Sequence, residues 1–346
     1  MNDAMAGRMG RATGGGRYTR RAVLGAILAL AVTGTAVAQS LKVTLGTGRD
    51  PNLGAPIMVA ADRGFFKDAG VEVDLKFFPT GGDLMTAFAG GSVQMGSSGS
   101  TPLTTLRARP YPVKVVARVA DISGAQQLIV RQDVKSLDQL AGKKIGIMRS
   151  TGSEAVFNAI VKNYGFDASK VELVNMSPTE MIQAFVRGQV DAISLWEPHT
   201  TRARKAGNGK ILVSGTQSFL PGKEGANKIY GDNSMLFATE AFVKENPKVV
   251  QAVLTALVRA TDYMEKNREA TVAYLAKEFK LEPADMSDVY AANRYTAVID
   301  DGLMADLNTL SDAMLAAKRI PAAVKASDWV DPAPLRAVRA DLVRLK

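Results

Sequence analysis

One stretch of this chain is written twice. Val71-Glu72-Val73 is answered by Val171-Glu172-Leu173, and Pro79-Thr80 by Pro178-Thr179. Ala87-Phe88, Gly91, Val93 and Gln94 return as Ala184-Phe185, Gly188, Val190 and Asp191 at one constant offset, and Gly64-Phe65 returns as Gly165-Phe166. Each copy alternates short β-type runs with helical periods, so each reads as strand, helix, strand, helix, strand. A duplication of this kind predicts two similar α/β lobes. Two facing lobes leave a cleft, lined by the loops at the carboxyl ends of the strands.

Lys144–Asn158 opens the second lobe's share of that cleft. Its apolar run Ile145–Met148 ends at Arg149 and passes through Ser150, Thr151, Gly152 and Ser153 into a helical pattern. The first turn of a helix carries unpaired N–H groups and partial positive charge, and glycine lets a ligand approach the backbone. These four residues are therefore read as ligand-binding, against the plainer reading of Ser150 or Thr151 as a helix cap. In the first copy, Ser97–Pro102 is a second hydroxyl- and glycine-rich turn, so Ser98, Ser100 and Thr101 are expected to face them, with Pro102 at N1 as the plainer account. Gly81 and Gly82 open another helix, and Gly46–Asn52 is a loop at a strand end, which adds Arg49 and Asn52. Gln126, beside a lobe boundary, is also read as ligand-binding. Trp196 and Glu197 sit where a strand of the second copy ends. An indole can wall a pocket, and the carboxylate suits either an amino group or a helix start.

With 346 residues and 47% hydrophobic content, the chain can fill two ordinary cores. Residues 1–38 read as an export signal. Arg8, Arg11, Arg17, Arg20 and Arg21 against Asp3 give +4, followed by the apolar run Ala22–Val32 and the small-residue site Ala36-Val37-Ala38. Thr19–Leu24 resembles the twin-arginine motif. Cleavage after Ala38 would lower the net charge from +9 to +5 (+9 − 4). That mild basicity, with no basic run interleaved with aromatics, gives no case for nucleic acid. The chain has no cysteine, hence no disulfide and no lipid attachment of the lipobox type. His199 is the only histidine, so neither a histidine-rich nor a cysteine-type metal site is expected, and no cofactor. No GxSxG elbow and no P-loop occurs.

Ala60–Val71 (AADRGFFKDAGV), Leu140–Gly146 (LAGKKIG), Gly152-Ser153, Gly188–Ala192 and Trp196-Glu197-Pro198 follow one another in an order that resembles the nitrate/sulfonate/taurine solute-binding proteins of ABC importers, over roughly residues 41–265. That resemblance implies a type II periplasmic binding protein: two α/β lobes, a central cleft, two crossover strands, and partners in a membrane permease and its ATPase. The lobes are then expected at 39–122 with 234–346, and at 123–233. The ligand expected is a small organic anion, an aliphatic sulfonate or taurine-like. Nitrate, an aromatic carboxylate or a pyrimidine are the alternatives. A pyrimidine-synthase-like enzyme is the alternative of another class; those relatives depend on a cysteine-rich stretch that this chain lacks. The expected protein is a soluble periplasmic monomer without a lipid anchor and without catalytic residues.

Overall fold

The duplicated series folds as two copies of one unit in a computed structural model that describes residues 41–109 and 111–346. The export segment expected at 1–38 lies outside the described residues. In the first copy, β1 (Leu41–Gly48) runs through α1 (Pro51–Asp62) and α2 (Phe65–Asp68) to β2 (Val71–Phe78). Then come α3 (Gly81–Ala89), β3 (Met95–Gly99), α4 (Ser100–Arg107) and β4 (Val113–Asp121). After β5 (Gln126–Arg131) the second copy repeats the order as β6 (Lys144–Ile147), α5 (Gly152–Tyr164), β7 (Glu172–Asn175), α6 (Pro178–Val186), β8 (Ala192–Trp196), α7 (His199–Gly207) and β9 (Gly209–Ser214).

The pairing is equivalent in both. β1 lies between β2 and β3, parallel to each, and β6 lies between β7 and β8, parallel to each. A right-handed crossover through a helix is the usual way for consecutive parallel strands to pair. Each sheet is then extended by strands antiparallel to this core. β12 (Asn233–Thr239), reached after the short β10 (Gln217–Ser218) and β11 (Gly225–Ala226), pairs with β3 and β4. In the other sheet β5 pairs with β8 and β9. Each sheet thus receives one strand from the chain's passage across the boundary. The two passages, 121–126 and 215–233, are tied to each other: Ile122 N–H donates to the Asp232 carbonyl at 2.9 Å, and Asp232 N–H donates to Ser123 Oγ at 2.9 Å.

Beyond β12 come α8 (Glu240–Glu245), α9 (Pro247–Lys266), α10 (Arg268–Phe279) and α11 (Pro283–Ala291). α9 is the longest because Val250, Val253, Leu254, Leu257 and Val258 share one stripe, and that stripe is buried in the core around β1. β13 (Arg294–Tyr295) and β14 (Ile299–Asp300) precede α12 (Asp301–Ala316), which spans both cores. Its Leu303 and Leu307 pack with the first sheet's core, whereas Leu310 and Met314, with Ile320 beyond it, pack with the second's. The end of the chain is not the continuous helix that the Leu335–Leu345 spacing predicts. α13 (Ala333–Val338) stops and β15 (Val343–Arg344) pairs with β14. Trp329, between α12 and α13, is buried at 1% exposure.

Candidate ligand cleft

Five helices begin at one place. The N-terminal residues of α1 (Asn52, Leu53), α3 (Gly81, Gly82), α4 (Pro102), α5 (Gly152) and α7 (His199), with their caps Asp50, Thr80, Gly99 and Thr151, line a cavity of about 220 Å³. Every one of them follows a strand of the parallel cores, so the topology itself gathers the helix starts at the carboxyl edges of the two sheets. First-turn N–H groups have no partner within their helix, and the summed dipoles make such a point favourable for an anion.

Not all of that positive potential is free. Asp50 Oδ1 accepts from the N–H groups of Asn52 and Leu53 at 2.9 and 3.0 Å and so satisfies the start of α1. Asp232 Oδ1 accepts from Ser100 N–H at 3.2 Å at the start of α4. Burial pushes the Asp50 carboxyl up to about 6 and the Asp232 carboxyl up to about 7, against their backbone hydrogen bonds, which act to lower them. A folded-state value above the ordinary 3.8 means that the fold holds a proton the unfolded chain releases. The contribution of Asp232 to stability is therefore lost as the pH rises from about 4 through 7. His199 goes the other way: burial, then the charge of Arg202, pushes it down to about 4, so it lines the cavity as a neutral imidazole.

The cavity also holds an unpaired acceptor. Gln126 is 3% exposed, and its Oε1 is buried without a hydrogen-bond partner. A Cβ at Gly152 would lie 2.7 Å from both this oxygen and Asp232 Oδ2, so the glycine leaves room for them. Gly152→Ala is expected to push both acceptors into the cavity and to weaken ligand binding at least about tenfold, or 1.4 kcal/mol. Calorimetry on the variant checks this; an unchanged affinity would mean that the ligand sits elsewhere.

Arg49, Asn52, Gly81, Gly82, Gln126, Thr151, Gly152 and Trp196, all expected at the cleft from sequence, line this cavity. Arg49 stands at its rim, its guanidinium 5.2 Å over the Phe77 ring and 3.8 Å from Glu278. Asn52 is buried between the lobes. Its Nδ2 donates to the Glu197 carbonyl at 2.6 Å, and its Oδ1 accepts from Asn293 Nδ2 at 3.0 Å.

Ser98, Ser100, Thr101, Ser150, Ser153 and Glu197 are not brought to the cavity wall. β3 continues to Gly99 and α4 starts at Ser100, which buries the expected turn. Ser100 Oγ bonds the Asn233 backbone, Thr101 Oγ1 lies 3.4 Å from Tyr230 Oη, and Ser98 Oγ lies beneath Gly81, 3.0 Å from where its Cβ would be. Ser153 Oγ donates to the Ser194 carbonyl, locking α5 to β8. Ser150 is exposed with φ 59°, and its N–H donates to Glu154 at 2.9 Å; Arg149 is exposed as well. The Glu197 carboxylate caps α7, accepting from Thr201 N–H at 3.0 Å, so it serves the helix-start reading rather than an amino group in the cleft.

Sequence reasoning missed Asp50, Asp232 and the wall formed by Phe78, Pro79, Thr80 and Ile122. Asp232 stands in Gly231-Asp232-Asn233, a composition that reads as a turn in a linker. Asp50 could have been recognised as the cap of α1, since Asp-Pro before an apolar run is a helix-start signal.

The described residues match the NMT1/THI5-like family model over residues 52–271. The chain belongs to this family. Among curated relatives, the taurine-binding periplasmic protein of Escherichia coli is 29% identical over 224 residues, 64% of this chain and 66% of that protein. The chain thus spans just under two thirds of the length of that relative. A second relative, the 4-amino-5-hydroxymethyl-2-methylpyrimidine phosphate synthase of Saccharomyces cerevisiae, is 24% identical over 220 residues, 60% of this chain and 62% of that enzyme. Among solved structures, the alkanesulfonate-binding protein SsuA of Xanthomonas axonopodis bound to MOPS superposes with a TM-score of 0.72 at 19% identity, covering 85% of this chain and 99% of the other. The two-lobed α/β architecture of periplasmic binding proteins is therefore the fold of this family member, as its motifs imply. Among the described residues no helix is long and apolar enough to cross a membrane, and no three His, Cys, Asp or Glu side chains come together as a metal site.

Proposed function

We propose that this protein is the periplasmic solute-capturing component of an ABC importer, and that its ligand is a small organic anion with an amino group, of the taurine-like aminosulfonate class. The starts of α3 and α5, the two of the five that a hydroxyl rather than a carboxylate caps, support the anionic end. The unpaired Gln126 Oε1 and the Asp232 carboxylate, both beside Gly152, support a hydrogen-bond donor on the ligand. Arg49 at the rim adds a positive charge on the way in, and the Trp196 indole gives the short carbon chain an apolar wall. Export by the segment 1–38, a freely soluble monomer, and delivery to a permease and its ATPase complete the reading. The paired acceptors would also suit an aminopyrimidine, which is the second reading.

Capture by a two-lobed protein requires that the ligand bind one arrangement of the lobes better than another. The passages at 121–126 and 215–233 would serve as the hinge, and the Asn52–Glu197 contact would close across the cleft. A thermal-shift panel of taurine, ethanesulfonate, nitrate, benzoate and an aminopyrimidine identifies the ligand class, with taurine expected to stabilise most. Small-angle scattering with that ligand is expected to show a smaller radius of gyration, and the ligand is expected to be recovered unchanged. An unchanged scattering curve would remove the closure mechanism. A converted ligand would mean an enzyme.

A further inference from the structure

The two helix starts that hydroxyls cap, those of α3 and α5, each carry an acid at the third residue. In α3 it is Asp83, which is exposed. Its Oδ2 accepts from Thr80 Oγ1 at 2.7 Å, and it has no ion pair among the described residues. In α5 it is Glu154, which is 7% exposed. A carboxylate in the first turn opposes an anion seated on the same helix start. Both Glu154 oxygens are engaged. Oε2 accepts from Ser150 N–H at 2.9 Å, which holds the left-handed residue, φ 59°, that leads into Thr151 and Gly152. Oε1 accepts from Arg319 Nη2.

Arg319 reaches α5 from outside the second copy. α12 ends in a turn with Lys318 at φ 56°, and Arg319 N–H donates back to the Met314 carbonyl at 2.8 Å. Ile320 then buries in the second lobe's core, which places the guanidinium on Glu154. Neither Arg319 nor Glu154 lines the cleft. The pair nevertheless changes what the start of α5 offers. Left alone, a full negative charge there would outweigh the helix start's partial positive charge of about half a unit. With Arg319 the two side chains cancel, and the first turn keeps its attraction for an anion. Burial makes this matter more for Glu154 than for Asp83, since water screens an exposed charge.

We propose that Arg319 is a specificity-determining residue of the cleft that acts without touching the ligand. By neutralising Glu154 it makes the start of α5, rather than that of α3, the seat of the ligand's anionic group. It thereby sets the preference for a charged sulfonate over its neutral analogue. The proposal rests on the reading of the cleft as an anion site.

Calorimetry at pH 7 on the full chain, with ethanesulfonate and the neutral ethanesulfonamide, tests it through the ratio of the two affinities. Arg319→Met leaves the buried carboxylate unbalanced, and the ratio is expected to fall about fivefold or more. Glu154→Gln keeps an oxygen for Ser150 N–H and leaves the guanidinium's charge in place, so the ratio is expected to rise about twofold or more. The double variant is expected to return to within about twofold of wild type. Asp83→Asn is expected to stay within about twofold as well, because water screens Asp83. If the pair only braced the fold, both single variants would weaken both ligands together and leave the ratio unchanged, which would overturn the proposal. A ratio raised by Asp83→Asn and untouched by Arg319→Met would also overturn it, by seating the anion on α3. Melting curves show whether Arg319→Met is folded at the assay temperature. If it is not, Glu154→Gln decides, and a ratio that does not rise overturns the proposal. Nitrate is titrated alongside. If wild type binds nitrate and neither sulfonyl compound, the aminosulfonate reading falls. Arg319 is then judged by nitrate affinity, expected below wild type in Arg319→Met and above it in Glu154→Gln. A wild type that binds none of the probes would overturn both.

Discussion

Asp232→Asn is expected to reverse the preference of the cleft between an aminosulfonate and a plain sulfonate. Asp232 is 2% exposed beside the unpaired Gln126 amide, so an ammonium placed there gains a charge-assisted hydrogen bond out of water. Losing it costs about 1.5–3 kcal/mol, roughly ten- to 150-fold in the affinity for taurine. Ethanesulfonate has no ammonium and meets the same carboxylate as a like charge, so its affinity is expected to hold or rise in the variant. The pH dependence follows from the raised value near 7. As the pH rises from 6 to 8 the carboxylate ionises. Taurine affinity is then expected to rise and ethanesulfonate affinity to fall. Both slopes are expected to flatten in Asp232→Asn. Competition calorimetry with the two sulfonates at three pH values measures this, and parallel slopes for both ligands would sink the assignment of the amino end to Asp232.

Asp300→Ala is expected to be the most destabilising single substitution away from the cleft. Arg118 on β4 is 1% exposed, and its Nη2 and Nη1 reach the two Asp300 carboxylate oxygens at 2.8 and 3.4 Å. Removing the partner leaves a guanidinium buried without compensation, which costs about 3–5 kcal/mol. Asp300 also caps α12, accepting from Leu303 N–H at 2.8 Å, a loss of about 1 kcal/mol more. At roughly 2–4 °C per kcal/mol for a chain of this size, the melting temperature is expected to fall by about 10 °C or more. Arg118→Met combined with Asp300→Leu replaces the pair by apolar groups and is expected to recover most of the loss. A fall of under about 1 kcal/mol on chemical denaturation of Asp300→Ala would show that water reaches Arg118 and that the pair is not holding α12 to the first sheet.

The duplicated series was enough to reach the two-lobed α/β architecture, because hydrophobic periodicity and turn residues are local properties and a repeat copies them intact. The same locality found the cleft residues that belong to helix starts: Gly81-Gly82, Thr151-Gly152, and Trp196 at a strand end. Local spacing does not state what a side chain meets across the fold. Ser153 and Ser100 have the composition of anion ligands, yet their hydroxyls go to backbone carbonyls of β8 and β12, strands 41 and 133 residues distant. Glu197 faces away from its neighbour Trp196 because consecutive residues at a strand end point to opposite faces. Asp232 reads as part of a linker until the return passage lays it against α4. Its raised pKa, and with it the proposed preference for an amino group, arises from burial. Burial is the sum of everything packed around a group, and that sum exists once both lobes have closed over the chain between them.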